Sequence, residues 1–241
     1  MDWTHTGSAS ETAHRLLAGL RRAESVETAL RGLAALSEDD VPSPQSERRA
    51  GLAFWCNVYN AAAQLLLERR PGLFDSRWRF FRTRAITVAG VGLSLDDIEH
   101  GLLRGNRSKY GLGYLPRLAR TGLESASFDR PDPRIHFALN CGAMSCPAVL
   151  AYEPETVDET LDGATRSYLD RTVEYDTDRD RVRLPRVCLW FVGDFGGPRG
   201  LRGFLRAYDQ IPGDVTPSLR FGGYDWSPAP RAFADEHVRH R

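Results

Sequence analysis

The sequence predicts a single α+β domain in which helices pack on a small, mainly antiparallel sheet. Three observations predict it. Apolar residues recur at helical spacing early in the chain, at Leu16, Leu17, Leu20, Ala29, Leu30, Leu33 and Leu36, and again from Phe54-Trp55-Cys56 onward. Two pairs of short β-prone runs flank turn formers: Ile86 and Val88 face Val91 and Leu93 across Ala89-Gly90, and Val173 to Tyr175 face Val182 to Leu184 across the charged stretch 176–180. No internal repeat, low-complexity tract or linker divides the chain.

Taken in order, the region from Ser10 to Leu36 predicts two helices broken near Glu24-Ser25. Pro42 and Pro44 mark a surface connection, after which a helix capped near Ser46 runs to about Arg70, where Pro71-Gly72 stops it. Residues 1–45 are thus read as a helical segment packed on a main domain spanning 46–241. Beyond the first hairpin, Ser94 with Asp97 three residues later opens a helix of about three turns carrying Glu99, His100 and Arg104. The glycine- and proline-bearing stretch from Tyr110 to Asp132 has no regular pattern. Asp132 to Pro147 reads as a buried strand ending in a tight turn, with Ile135, Phe137 and Leu139 in one core with Trp55 and Tyr59. Thr156 and Glu159 have capping-box spacing ahead of a helix through Tyr168-Leu169. Leu189 to Phe195 and Leu201 to Tyr208 read as helical pieces around Gly196-Gly197-Pro198.

Composition excludes several function classes. A chain of 241 residues with 41% hydrophobic content can bury a sizeable core. Acidic and basic residues balance at 32 each, so the net charge carries neither a nucleic-acid nor an anionic-lipid footprint. No run approaches the roughly 18 to 20 apolar residues of a membrane span, and Met1 to Ala9 has no basic-then-apolar export pattern. A soluble cytoplasmic protein is expected, without nucleic-acid or membrane partners. There is no phosphate loop or dinucleotide glycine fingerprint, so no cofactor is expected.

Chemistry concentrates in the Asp132 to Pro147 run. Cys141 and Cys146 lie near His136, and a thiol becomes a nucleophile when an imidazole, a cation or a helix N-terminus favours its thiolate. Within a regular strand His136 and Cys141 would face opposite sides. Cys146, in the loop, is therefore the expected nucleophile, with His100 or His136 as its base. Against this stands burial of either cysteine as an inert small hydrophobe, at even weight. A disulfide between the two is a further alternative. A zinc site from His100, His136, Cys141 and Cys146 has suitable ligand types but no supporting spacing, and no metal is expected. Glu99 could orient an imidazole, or pair with Arg104 or Arg134; the Arg134 pairing is the expected one. In the apolar helix, Asn57 is read as an oxyanion donor, whereas Asn60 is read as a cap for loop backbone; Tyr59 accompanies them.

The runs Phe54-Trp55-Cys56-Asn57-Val58-Tyr59-Asn60, Ile98-Glu99-His100-Gly101-Leu102-Leu103-Arg104 and Asp132 to Pro147 resemble, in that order, the family catalogued as domain of unknown function 547. Asp194-Phe195 and Tyr224-Asp225-Trp226 are similar to its C-terminal pattern, so the resemblance extends from about Ser46 onward. It implies no settled activity. Relatives usually carry an aliphatic residue in place of Cys56, which sets that cysteine aside. The layout of an early helix followed by a histidine-bearing strand resembles papain- and transglutaminase-type thiol enzymes. The expectation is a thiol-dependent hydrolase or acyl transferase acting on an unidentified small molecule or peptide. Its catalytic residues would be Cys146, His100, His136, Glu99 and Asn57; its binding residues would be Cys141, Arg134, Asn60, Tyr59 and Arg104. The competing expectation is a non-enzymatic binding or scaffold domain in which the same residues form a buried polar network.

Overall fold

Helix α1 (Ala9–Arg22) begins where the Ser8 hydroxyl accepts the Glu11 N–H at 3.2 Å and ends where Ala23 turns left-handed, with φ of 56°. The computed structural model describes residues 8–234, so most of the Met1 to Ala9 stretch on which the export expectation rests lies outside the described residues. α2 (Glu27–Ala35) follows, and α3 (Arg48–Arg69) starts without the expected Ser46 cap and stops before Pro71. α1 packs along α3. From Gly51 to Leu67 every residue of α3 is buried, so this helix is enclosed on all faces and forms the axis of the domain.

After α4 (Arg77–Arg82), β1 (Arg84–Val88) and β2 (Val91–Ser94) form the expected antiparallel hairpin. Its turn residues Ala89 and Gly90 both have positive φ, the geometry that matches strand twist in a two-residue hairpin. Ser94 and Asp97 then cap one another: the Asp97 carboxylate accepts the Ser94 N–H at 3.0 Å and O–H at 2.7 Å, and the Ser94 hydroxyl accepts the Asp97 N–H at 3.2 Å. The helix they open is not three regular turns. Asp97–Leu103 is a wide π-helix, in which the Arg104 N–H reaches the Glu99 carbonyl five residues back at 2.8 Å.

The second half contains α5 (Val157–Thr172), β3 (Glu174–Asp176), β4 (Arg181–Leu184), α6 (Arg186–Trp190), α7 (Gly197–Ala207) and β5 (Ser218–Phe221). α5 forms without the Thr156–Glu159 box, because the Thr156 side chain makes no capping bond. β3 and β4 pair antiparallel, and β5, unmarked in the sequence, adds to β4 in parallel with Leu219 opposite Val182. The molecule is thus a mixed α+β domain with two small sheets.

The expected strand at 132–147 is absent. Pro133–Phe137 is a 3-10 helix whose first N–H groups are served by Asp132, and the chain beyond it is an irregular loop. Its backbone is satisfied by side chains instead of a ladder. Asn60 donates to the Ala138 carbonyl at 3.1 Å and accepts the Asn140 N–H at 2.8 Å; Asn57 donates to the Tyr152 carbonyl at 2.7 Å and accepts its N–H at 2.9 Å. Two asparagines on the central helix therefore do the work of a neighbouring strand. The core divides accordingly. Trp55, Tyr59, Ile135 and Leu139 share one cluster, whereas Phe137 belongs to a second cluster with α5, β4, α6 and α7.

Arg134 does not pair with Glu99. It binds Asp132 at 2.7 Å, Asp158 at 2.7 Å and Asp162 at 3.1 Å, tying the 3-10 helix to α5. Replacing Arg134 with alanine leaves the buried Asp132 with Arg48 as its remaining cation. The expected loss is about 3 kcal/mol, read as a lower denaturant midpoint at unchanged slope; an unaltered midpoint contradicts this role.

Candidate functional site

The cavity next to these elements measures about 430 Å³. Asp96, just ahead of the π-helix, lines it together with Glu99 and His100 on that helix, the 3-10 helix contributes His136, the loop after it contributes Cys141, and α3 contributes Tyr59. An aromatic wall faces them: Trp190 lies 5.0 Å from Tyr224 and 5.9 Å from Trp226, which are 4.6 Å apart.

Asp194 organises the floor. Its side chain and that of Arg104 are both fully buried. The Arg104 Nε donates to Asp194 Oδ2 at 2.6 Å and its Nη2 donates to Oδ1 at 3.2 Å, while His136 Nε2 lies 3.0 Å from Oδ2. A third guanidinium nitrogen of Arg104 lies 2.9 Å from His100 Nδ1. A guanidinium can only donate, so His100 Nδ1 accepts and its proton sits on Nε2. By the same reasoning the His136 Nε2 proton points at the Asp194 carboxylate. Burial works against charge on Asp194, but the bonds from His136 and Arg104 outweigh it and hold its carboxyl below the usual range. Burial, followed by the positive field of Arg104, pushes the His100 pKa well down; burial also lowers His136, with Asp194 opposing. Both imidazoles are accordingly neutral at pH 7. The ring of His136 is stacked on Phe191 at 4.5 Å, with Arg104 4.1 Å from that same ring.

Glu99 is the titrating group of the cavity. Burial raises its carboxyl to about 7, against the pull of Arg104 and the Tyr59 hydroxyl, which donates to Glu99 Oε2 at 3.2 Å. Its Oε1 lies 3.7 Å from His100 Nδ1, close but beyond a hydrogen bond. Asp96 binds Lys109 at 2.5 Å through Oδ2, while its buried Oδ1 has no hydrogen-bond partner and stands 3.6 Å from His100 Nε2.

The two sulfurs of Cys141 and Cys146 are 3.0 Å apart. Cys146 Sγ also receives the Cys141 N–H at 3.2 Å and lies 3.2 Å from the Tyr224 hydroxyl. The Cys141 thiol, then Tyr224, favour the Cys146 thiolate and lower its pKa against the effect of burial, while Cys141 moves up as the donor of the pair. Backbone geometry enforces the meeting. Asn140 accepts the Gly142 N–H at 2.7 Å and donates to the Pro147 carbonyl at 2.6 Å, and Gly142 has φ of 88° with Leu67 Cδ1 only 2.3 Å from where a Cβ would stand.

Several sequence expectations change here. Cys141, not Cys146, lines the cavity, and the side-chain hydrogen-bond partners of both sulfurs are each other and Tyr224, with no imidazole among them. Asn57 does not line the cavity: its amide is engaged at both ends by Tyr152, so it clamps a loop instead of facing an oxyanion. Asn60, Arg104 and Arg134 do not line the cavity either. Cys56 and Cys188 are sealed in the core, and burial pushes both thiols up. Among the described residues no three His, Cys, Asp or Glu side chains converge as a metal-binding set. Asp194, Asp96, Lys109 and Tyr224 were not singled out as site residues from sequence. Asp194 carried a usable signal, since a lone carboxylate in the apolar run Leu189 to Phe195 needs a buried partner.

The raised Glu99 carboxyl has a stability consequence. The folded state holds a proton on Glu99 between the ordinary value of 4.5 and about 7, where the unfolded chain does not. Stability from this group therefore falls as pH rises across that window, and the full penalty is present above it. Glu99→Gln removes the penalty, which is on the order of 3 kcal/mol. Its melting temperature should exceed the parent's at about pH 8 and converge with it at about pH 5; a difference independent of pH contradicts the assignment.

No curated protein and no solved structure matches the chain. The family described as "Protein of unknown function, DUF547" matches residues 44–169, which take in α3, the π-helix, the cysteine loop and most of α5. That span is more than half of the sequence, and the chain belongs to this family.

Proposed function

We propose that this protein is a thiol-dependent hydrolase or acyl transferase acting on a small molecule or peptide. The observation that carries the reading is a thiol paired with a thiolate-favouring thiol at 3.0 Å, one of them on the wall of a cavity that also holds Glu99, His100 and His136. A cavity of about 430 Å³ is within the range of small-molecule sites.

In this reading Cys141 Sγ attacks a carbonyl carbon as its proton passes to Cys146 Sγ, forming an S–C bond and a tetrahedral oxyanion. His100 presents an Nε2–H donor, held in that tautomer by Arg104, to the developing charge. Protonated Glu99 gives its proton to the leaving group as the carbonyl re-forms, leaving a thioester on Cys141. The resulting carboxylate then deprotonates water or an acceptor nucleophile, which attacks the thioester; the Cys146 proton returns to Cys141 as the thiolate leaves. The unpaired Asp96 Oδ1 supplies an acceptor for a substrate N–H or O–H. Asp194 and Arg104 are positioning residues. The pair needs a reducing compartment to stay as a dithiol, consistent with a cytoplasmic setting. A purely scaffolding role would leave the Asp96 oxygen and the aromatic wall without an occupant.

Incubation with an activated acyl ester such as p-nitrophenyl butyrate, followed by intact-mass analysis and peptide mapping, tests the scheme. One acyl group should appear on Cys141. Cys141→Ala should abolish it, and Cys146→Ala should slow acylation by about 100-fold through loss of the proton acceptor. Unchanged acylation in Cys141→Ala overturns the proposal.

A further inference from the structure

Six of the seven exposed large apolar side chains among the described residues fall in two segments, Trp78 on α4 and Tyr110, Leu112, Tyr114, Leu115 and Leu118 in the loop after the π-helix. Both segments reach the cavity, since Trp78 and Tyr110 line it while remaining more than half exposed. They frame its mouth.

The loop is built, not loose. Arg107 and Pro116 form an antiparallel bridge, the Ser108 N–H reaches the Leu115 carbonyl at 2.8 Å, and the Gly193 N–H reaches the Leu112 carbonyl at 2.8 Å. Arg107 Nη1 donates to the Gly113 carbonyl at 2.9 Å. Backbone polar groups are thus turned inward while large apolar side chains stay outside, with Leu118 96% exposed. Clustered exposure of this kind marks a surface that meets an apolar partner.

Charge identifies that partner. Arg77, Arg79 and Arg82 on α4 are exposed and form no ion pair with a carboxylate among the described residues. Arg82 lies 5.1 Å from the Trp78 ring and Arg77 4.8 Å from the Trp226 ring, so cations and aromatics are interleaved around the mouth. Lys109 lies 5.7 Å from the Tyr110 ring. The balanced total of 32 acidic and 32 basic residues conceals this local excess. Tryptophan, tyrosine and leucine beside unpaired arginines fit the headgroup layer of a bilayer, where the aromatics prefer to lie and each basic residue gains from anionic lipid.

We propose that the face around the cavity mouth docks on an anionic lipid surface, with Trp78, Tyr110, Leu115 and Leu118 entering the headgroup layer and the α4 arginines meeting lipid phosphates. Net charge does not register such a face, and no helix among the described residues is long and apolar enough to cross a membrane, so the contact proposed is a peripheral one. Docking extends the acyl-transfer reading by opening the cavity toward amphiphilic acyl compounds, and it is tested separately from the thiol chemistry.

Flotation of the full chain with vesicles of phosphatidylcholine alone, and of phosphatidylcholine mixed with phosphatidylglycerol, provides the test. The mixed vesicles should carry the protein and the neutral ones should carry little, with release on raising salt. Arg79→Gln should lower partitioning about fivefold, and Leu115→Ser with Leu118→Ser should lower it further, while circular dichroism melts match the parent. No flotation with mixed vesicles overturns the proposal, as does equal flotation of parent and variants. Capture by polyglutamate or RNA in place of vesicles also overturns it. Full release by inorganic phosphate at matched ionic strength would reassign the arginines to a free anion.

Discussion

The buried ion pair between Arg104 and Asp194 is the interaction on which the site depends. Two charges without exposed surface are tolerable only when nearly every donor and acceptor is used. That demand spreads outward. Asp194 takes His136 as a second partner and Arg104 takes His100, so satisfying one ion pair fixes two imidazoles. It also explains the wide helix: the π-turn places Arg104 at the helix end, where its side chain spans from His100 to the Asp194 turn between α6 and α7. Gly113 lies so close to that turn that an added Cβ would stand 2.9 Å from Asp194 Oδ1, which draws the mouth loop against the same carboxylate.

A second constraint is the pair of asparagines on α3. A helix buried on every face has no room for unsatisfied amides. Asn57 and Asn60 resolve this by bonding loop backbone at both ends, which lets the cysteine loop lie against the core without a strand beside it. The loop can then bend sharply at Gly142 and bring two sulfurs together. Site geometry and fold stability thus share residues, since the loop that carries the thiols is held by the helix at the centre of the domain.

The legible parts of the sequence were those governed by local pattern. Both hairpins, the Ser94–Asp97 cap and the breaks at Glu24-Ser25 and Pro71-Gly72 were readable because period, turn residues and caps act over a few positions. Asp132 to Pro147 misled for a physical reason: apolar alternation records burial, and these residues are buried, but their backbone partners are side chains 80 residues away, as with Asn60 and Asn140. β5 was invisible because its strand character comes from pairing with β4. Glu99, His100, His136, Tyr59 and Cys141, which lie in three separated motifs of the sequence, line one cavity in the fold. Asn57 and Arg134 were misassigned because side-chain partners depend on the fold, and Asp194 was underused although its burial demanded a cation.

The central claim is that the Arg104–Asp194 pair fixes the protons of both cavity histidines on Nε2, while burial keeps the two rings neutral. Long-range proton–nitrogen correlation spectra of the histidine rings at neutral pH report tautomer and charge directly. The account predicts neutral Nε2–H patterns for His100 and His136 at neutral pH, with that of His100 persisting as pH is lowered past the ordinary histidine range. An imidazolium pattern at either ring, or a proton on His100 Nδ1, would contradict it.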